Sequence, residues 1–202
     1  MFEAVKIFNA SISNARELTL LYEYILNTVK APHPFDDLLR SQIVYAMSAF
    51  DKLMHDLIRI GMVASYVGIR PVSARYHTES ISMKIHTDLL AATIPPKEVL
   101  FEQEVMKKLA HLSFQDPDKV ADGLSLIWDE KRKWDMIASK MNCSAHDVRT
   151  RLRLAAGRRN AIVHESDMHP LNNSKTPITV GECSEVTDFI QRCGQTIAVL
   201  VN

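Results

Sequence analysis

Residues 36–68, "DDLLRSQIVYAMSAFDKLMHDLIRIGMVASYVG", form the longest and most apolar periodic stretch in the chain. Apolar residues recur three and four apart around a broad face, the pattern of a helix lying at the centre of a bundle. Asp36 or Asp37 opens this helix. Gly68 and Pro71 close it, since glycine leaves helical geometry without steric cost and proline cannot continue the backbone bonding. The same period governs most of the remaining sequence. With six glycines in 202 residues and very few alternating β-branched runs, the class is all-α, a helical bundle with additional short helices in one domain spanning 1–202.

Working outward, a first helix is predicted over Phe2 to Val29, bent or interrupted near Ser11 to Asn14. The "APHPF" stretch ends it, because a proline forces its predecessor out of helical geometry. Beyond Pro71, a connector leads to a short helix near Ile81 to Ala92, and another follows "IPP" to about Leu112 with Pro96 near its first turn. The segment "SFQDPDKVADGLSLIWDEKRKWDMIASKMN" gives two short helices with Trp128 and Trp134 packed between them and Asn142 as a stop. Ser144 followed by Asp147 has the shape of a capping box, so a helix starts there and runs to about Glu165. "MHPLNNSKTPITVG" reads as a loop. A final helix occupies about Glu182 to Val201.

Formal net charge is zero and the pI near 7.1, so no global field draws the chain to nucleic acid or an anionic membrane; any attraction for phosphate is local. Cys143, Cys183 and Cys193 include no C-x-x-C pair, and their odd number without a signal-peptide pattern argues against a disulfide framework or structural zinc. A cytoplasmic protein with reduced thiols is expected, with no membrane span and no cofactor.

The helix after Ser144 carries an anomaly. At about 100° per residue with Val148 at zero, Leu152 falls near 40°, Ala155 near 340° and Ile162 near 320°, and Arg159 falls near 20°, inside the core-facing stripe. An unpaired guanidinium there is costly, so something must receive its charge. A second face, near 100° to 160°, collects Arg149, Arg153, Asn160 and His164, of which Asn160 and His164 are spaced to touch. Arg159 and His164 stand about 140° apart and share no face. Arg149, Arg151, Arg153, Arg158 and Arg159 crowd into one helix. Either these arginines bridge to acidic neighbours, or their planar forks of donors form a local surface for phosphate oxygens, with Arg149 and Arg153 as candidate RNA contacts.

The stretch "RRNAIVHESD" resembles the motif region of the RiboL-PSP-type group of the HEPN superfamily, in which "RNAIVH" fits the R-N-x-x-x-H form. The helix "RSQIVYAMSAFDKLMHDLIR" and the segment "FQDPDKV" are similar to that group as well, so the resemblance runs from about Phe35 to Val201. It implies a small helical bundle and metal-independent cleavage of RNA, in a toxin–antitoxin or phage-defence setting where an antitoxin or other neutralising protein partners it. It further implies a homodimer with a composite site in which Arg159, Asn160 and His164 are catalytic. Arg158 to His164 satisfies a longer spacing of the same signature, so Arg158 is a supporting candidate.

The chemistry needs no metal. A ribose 2′-hydroxyl attacks the neighbouring phosphorus, leaving a 2′,3′-cyclic phosphate and a 5′-hydroxyl, while imidazole moves the protons and guanidinium stabilises the developing charge. One motif histidine per chain leaves half the proton transfers unassigned, which a two-fold dimer would supply. Asn160 would orient His164 or the phosphate. Asp51 and His55 intrude on the apolar face of the early helix. They form either a satisfied internal pair or part of the same cleft, Asp51 holding Arg159 or tuning His164. "HESDMH" is not a zinc H-E-x-x-H, since His164 and His169 are one residue too far apart. The alternative to a nuclease is a non-catalytic module of the same fold that binds RNA or a protein partner.

Overall fold

A computed structural model describes residues 1–33, 35–169 and 174–202. Pro34 of the "APHPF" stretch and residues 170–173 of the "MHPLNNSKTPITVG" loop lie outside the described residues. Regular structure among the described residues is helical apart from a single antiparallel bridge between Met168 and Lys175. The helices are α1 (Phe2–Tyr24, extended by a π-helical turn, Ile25–Val29), α2 (Asp36–Tyr66), α3 (Ala74–His77), α4 (Met83–Ala91) and α5 (Lys97–Leu109). They continue as α6 (Pro117–Ser125), α7 (Lys133–Lys140), α8 (Ala145–Glu165) and α9 (Val180–Leu200).

As its broad face predicts, α2 is central and packs against α1, α5, α6, α8 and α9. Asp36 and Asp37 sit in its first turn, where they complement the positive end of the helix dipole, and Gly68 at φ +75° follows its end. Ile43, Met47, Phe50, Leu53, Met54, Leu57 and Ile58 are buried along it. Phenylalanine rings lie directly against the helix backbone where a neighbouring helix offers glycine. A Cβ on Gly194 of α9 would stand 2.7 Å from Phe8 Cζ, and one on Gly123 of α6 would stand 2.4 Å from Phe114 Cε1. A polar chain also crosses this core: Thr19 of α1 donates to Gln42 Oε1 of α2, whose Nε2 donates to Thr187 of α9 at 3.0 Å. Satisfied in this way, three buried polar side chains hold three helices in one register.

The first helix is not interrupted at Ser11 to Asn14. Ser11 Oγ donates back to the Ile7 carbonyl at 2.9 Å, so the hydroxyl is absorbed by the helix instead of breaking it. The connector after Pro71 contains the one-turn α3, started by Ser73, whose Oγ accepts from Tyr76 N at 3.1 Å. Trp134 is buried with its indole N–H donating to the Pro117 carbonyl at 3.2 Å, and Asn142 takes the left-handed conformation at φ 54°. α9 starts at Val180, ahead of the expected Glu182, because Thr179 and Glu182 form a complete capping box.

No helix among the described residues is long and apolar enough to cross a membrane.

Candidate functional site

Helix α8 carries the motif and is fixed by chemistry at both ends. At its start Ser144 Oγ accepts from Asp147 N at 3.0 Å, satisfying one of the donors a helix N-terminus leaves open. Val148, Leu152, Ala155 and Ala156 bury its inner face. At its end Ser166 and Asp167 both take the left-handed conformation, φ 53° and 59°, and the Asp167 N–H returns to the Ala161 carbonyl at 2.9 Å. The Asp167 side chain turns inward and is 1% exposed. Its Oδ2 accepts from Arg40 Nε at 2.7 Å and from Arg158 Nη2 at 2.9 Å, while Arg40 and Arg158 also donate to the Thr176 carbonyl. This cluster joins α2, α8 and the segment before α9.

The five arginines of α8 meet different fates. Arg149 and Arg153 each donate to one oxygen of Asp118 on α6, at 2.8 and 2.9 Å. The hydrogen bond from Arg153, reinforced by Arg149, holds the Asp118 carboxyl below the usual carboxylate range. Both candidate RNA contacts are thus the acid-bridging kind. Arg151 lies over the Phe189 ring with its guanidinium carbon 4.6 Å from the centroid, a cation–π contact. Arg158, about 100° around the helix from Arg159, is committed to Asp167 and lines an apolar groove with Ile178, Val186 and Phe189. Arg159 alone has, among the described residues, neither a carboxylate nor a ring. Its Nη1 donates to Asn160 Oδ1 at 3.1 Å, and its Nε is fully enclosed without an acceptor. Leaving such a donor unpaired costs about 1–3 kcal/mol.

The expectation that Asp51 holds Arg159 is corrected. Asp51 Oδ1 accepts from Phe114 N at 2.6 Å and Oδ2 from Gln115 Nε2 at 3.3 Å. His55 sits beside it, Nδ1 at 2.9 Å from the Asp51 carbonyl and Nε2 at 3.1 Å from the Leu109 carbonyl. Whichever nitrogen carries the proton, it finds an acceptor. Asp51 and His55 therefore follow the internal-pair reading and pin the α5–α6 loop to α2. That loop nevertheless reaches the motif: Ser113, Gln115 and Asp116, with Lys119 of α6, line a pocket of about 300 Å³ together with Arg153, Ala156, Gly157, Arg159 and Asn160. Asp51 touches this pocket indirectly, through Gln115.

His164 is exposed in the last turn of α8. Asn160, spaced to meet it, instead accepts from Arg159. Arg159 and His164 do not converge within one chain, as their positions around the helix imply. No group of three or more His, Cys, Asp or Glu among the described residues could hold a metal ion. Two residues of the buried cluster escaped the sequence reading, Arg40 and Asp167. Arg40 could have been found, since it lies on the apolar face of α2 next to Leu39 and Ile43, the same irregularity that marks Arg159. Asp167 could not, because its burial depends on two consecutive left-handed residues.

No family model matches this chain, and comparison with curated proteins and with solved structures likewise gives no match.

Proposed function

We propose that this chain is a metal-independent endoribonuclease working as a cytoplasmic homodimer, in which Arg159 stabilises the phosphoryl oxygens and His164 transfers protons. The observation that carries the reading is Arg159 itself. It is the one α8 guanidinium with neither carboxylate nor ring among the described residues, so its charge is available to an anion. In a site that excludes water, a pre-placed cation of this kind stabilises a transition state more than it does in solution. Proton transfer needs a base for the 2′-hydroxyl and an acid for the 5′-oxygen. His164 and His164 of the partner subunit would fill those two roles. Asn160 holds Arg159 in place and so acts through it. A cell carrying such an activity needs a neutralising partner or a trigger, in keeping with a defence or toxin–antitoxin role.

The decisive experiment is cleavage of single-stranded RNA in EDTA, with end analysis for 2′,3′-cyclic phosphate. Wild type is expected to cut, and His164→Ala and Arg159→Ala are expected not to, with unchanged helical circular dichroism. Binding of RNA without cleavage would favour the non-catalytic module, while equal cleavage by wild type and both variants would remove the assignment.

A further inference from the structure

Besides Arg159 and the acid-bridged Arg153, the pocket holds a third cation that the motif does not explain. Lys119, on the exposed side of α6, lines the pocket and forms no ion pair among the described residues. The acid in the lining, Asp116, is already engaged: its Oδ1 accepts from Asp118 N at 2.8 Å as the cap of α6, and Arg153 Nε lies 3.8 Å from its Oδ2. Asp51, the acid behind the pocket, is held by Phe114 N and Gln115. The α5–α6 loop thus presents a polar wall whose carboxylate is occupied, opposite Arg159, whose guanidinium has no carboxylate partner among the described residues.

Gly157 supplies an independent observation. Glycine in a helix interior costs about 1 kcal/mol relative to alanine, and it is ordinarily tolerated where another element packs close. At Gly194 and Gly123 an added Cβ would collide with a neighbour; at Gly157 it would meet nothing within 4 Å. Nothing among the described residues therefore requires the glycine. Its bare backbone lines the same pocket as Lys119 and Arg159, where an incoming group could approach α8 more closely than a methyl would permit.

We propose that this pocket, formed by Gln115, Lys119, Gly157, Arg159 and Asn160, binds a phosphodiester of a single-stranded RNA next to the one that is cut. This rests on the nuclease reading for its choice of ligand. A phosphate there meets Lys119 from one side and Arg159 from the other, with the uncovered turn at Gly157 as its floor. Because Arg159 then touches two successive phosphates, it fixes the register of the strand along α8. Lys119 and Gly157 are binding residues.

The test uses the full chain and a fluorescent 2′-O-methyl oligoribonucleotide, which lacks the attacking hydroxyl and cannot be cut. Wild type is expected to bind it, and Lys119→Gln to bind about fivefold more weakly at 0.1 M salt, with the slope of log K against log salt shallower by about 0.7. Gly157→Ala is expected to melt at a higher temperature yet bind more weakly, a split that general damage to the fold cannot produce. Equal affinity and slope for Lys119→Gln, or wild-type affinity for Gly157→Ala, would overturn the subsite, as would failure of wild type to bind the strand. Loss of the dimer in Gly157→Ala by sedimentation would assign the glycine to self-association and overturn it too. Displacement of the strand by micromolar uridine monophosphate would show a free-nucleotide site instead. Cleavage of the matching ribo-oligonucleotide separates the two ideas. Strand binding through Lys119 without cleavage removes the nuclease and keeps the subsite, and cleavage indifferent to Lys119→Gln does the reverse.

Discussion

Arg40 Nε donates to Asp167 Oδ2 across 2.7 Å, with the two side chains 6% and 1% exposed. Arg158 shares the same carboxylate oxygen, so one buried anion serves two guanidiniums. Asp167→Ala removes the buried carboxylate they share, leaving Arg40 Nε without its acceptor, and should lower stability by about 3–5 kcal/mol, the range for breaking a buried pair from one side. Urea denaturation checks it. A loss below 1 kcal/mol would mean that water already reaches the cluster.

Arg159→Ala should separate activity from stability. The substitution removes an enclosed Nε that has no acceptor, so the melting temperature should stay level or rise. Cleavage should fall by roughly 10²–10³-fold, the loss on removing one charge-stabilising donor from a reaction centre. Arg159→Lys should not recover it, since a point charge cannot reproduce the guanidinium fork. Parallel calorimetry and rate measurements would reject this if rate and melting temperature fell together.

Two glycines should answer oppositely to the same change. Gly194→Ala places a Cβ 2.7 Å from Phe8 Cζ and 3.0 Å from Leu53 Cδ2, and overpacking of that kind costs about 1–3 kcal/mol. Gly157→Ala meets open space and should gain up to about 1 kcal/mol from helix propensity. Denaturation midpoints displaced in the same direction would contradict the packing described.

Acid sensitivity should trace to two carboxylates. The hydrogen bond from Lys175 is the main influence holding Asp37 below its ordinary range, and that from Arg153 does so for Asp118. A carboxyl whose folded pKa is depressed contributes stability above its unfolded value, about 3.9, and loses it as pH falls through the folded value. Wild type should therefore lose stability below about pH 4 more steeply than Asp37→Asn and Asp118→Asn combined. Urea midpoints measured from pH 2 to 5 would show this, and superimposable acid limbs would refute it.

Thiol titration should count one reactive cysteine in the native protein. Burial pushes Cys183 up to about 11 and Cys193 up to about 12, whereas Cys143 is exposed. The thiolate is the reactive species, so an aromatic disulfide reagent at pH 8 should modify Cys143 quickly and the other two only on unfolding. Rapid modification of all three would place Cys183 and Cys193 outside the core.

Helical periodicity made most of the architecture readable. The central place of α2, the start of α8 at Ser144 and the stop at Asn142 all rest on local rules that need no partner. Ser11 to Asn14 misled because polar residues in a run look like a break, and only the helix itself shows the hydroxyl bonding backwards. α3 was too short for any period to register. At the site, the irregular position of Arg159 was legible, but its surroundings were not. Asp51 and Arg159 are 108 positions apart in sequence, and which acid meets which base depends on where the α5–α6 loop falls. Gln115 and Lys119 carry no pattern of their own and become visible once that loop is set against α8.

The ends of α8 are tethered separately, through Arg149 and Arg153 to Asp118 and through Arg158 to the Asp167 anchor. A rod pinned in two places cannot roll about its long axis. The arc between Arg159 and His164 is set by the helix itself, and the two tethers fix which way that arc faces from the bundle, so an RNA strand cut as proposed has to curve around the rod to visit both.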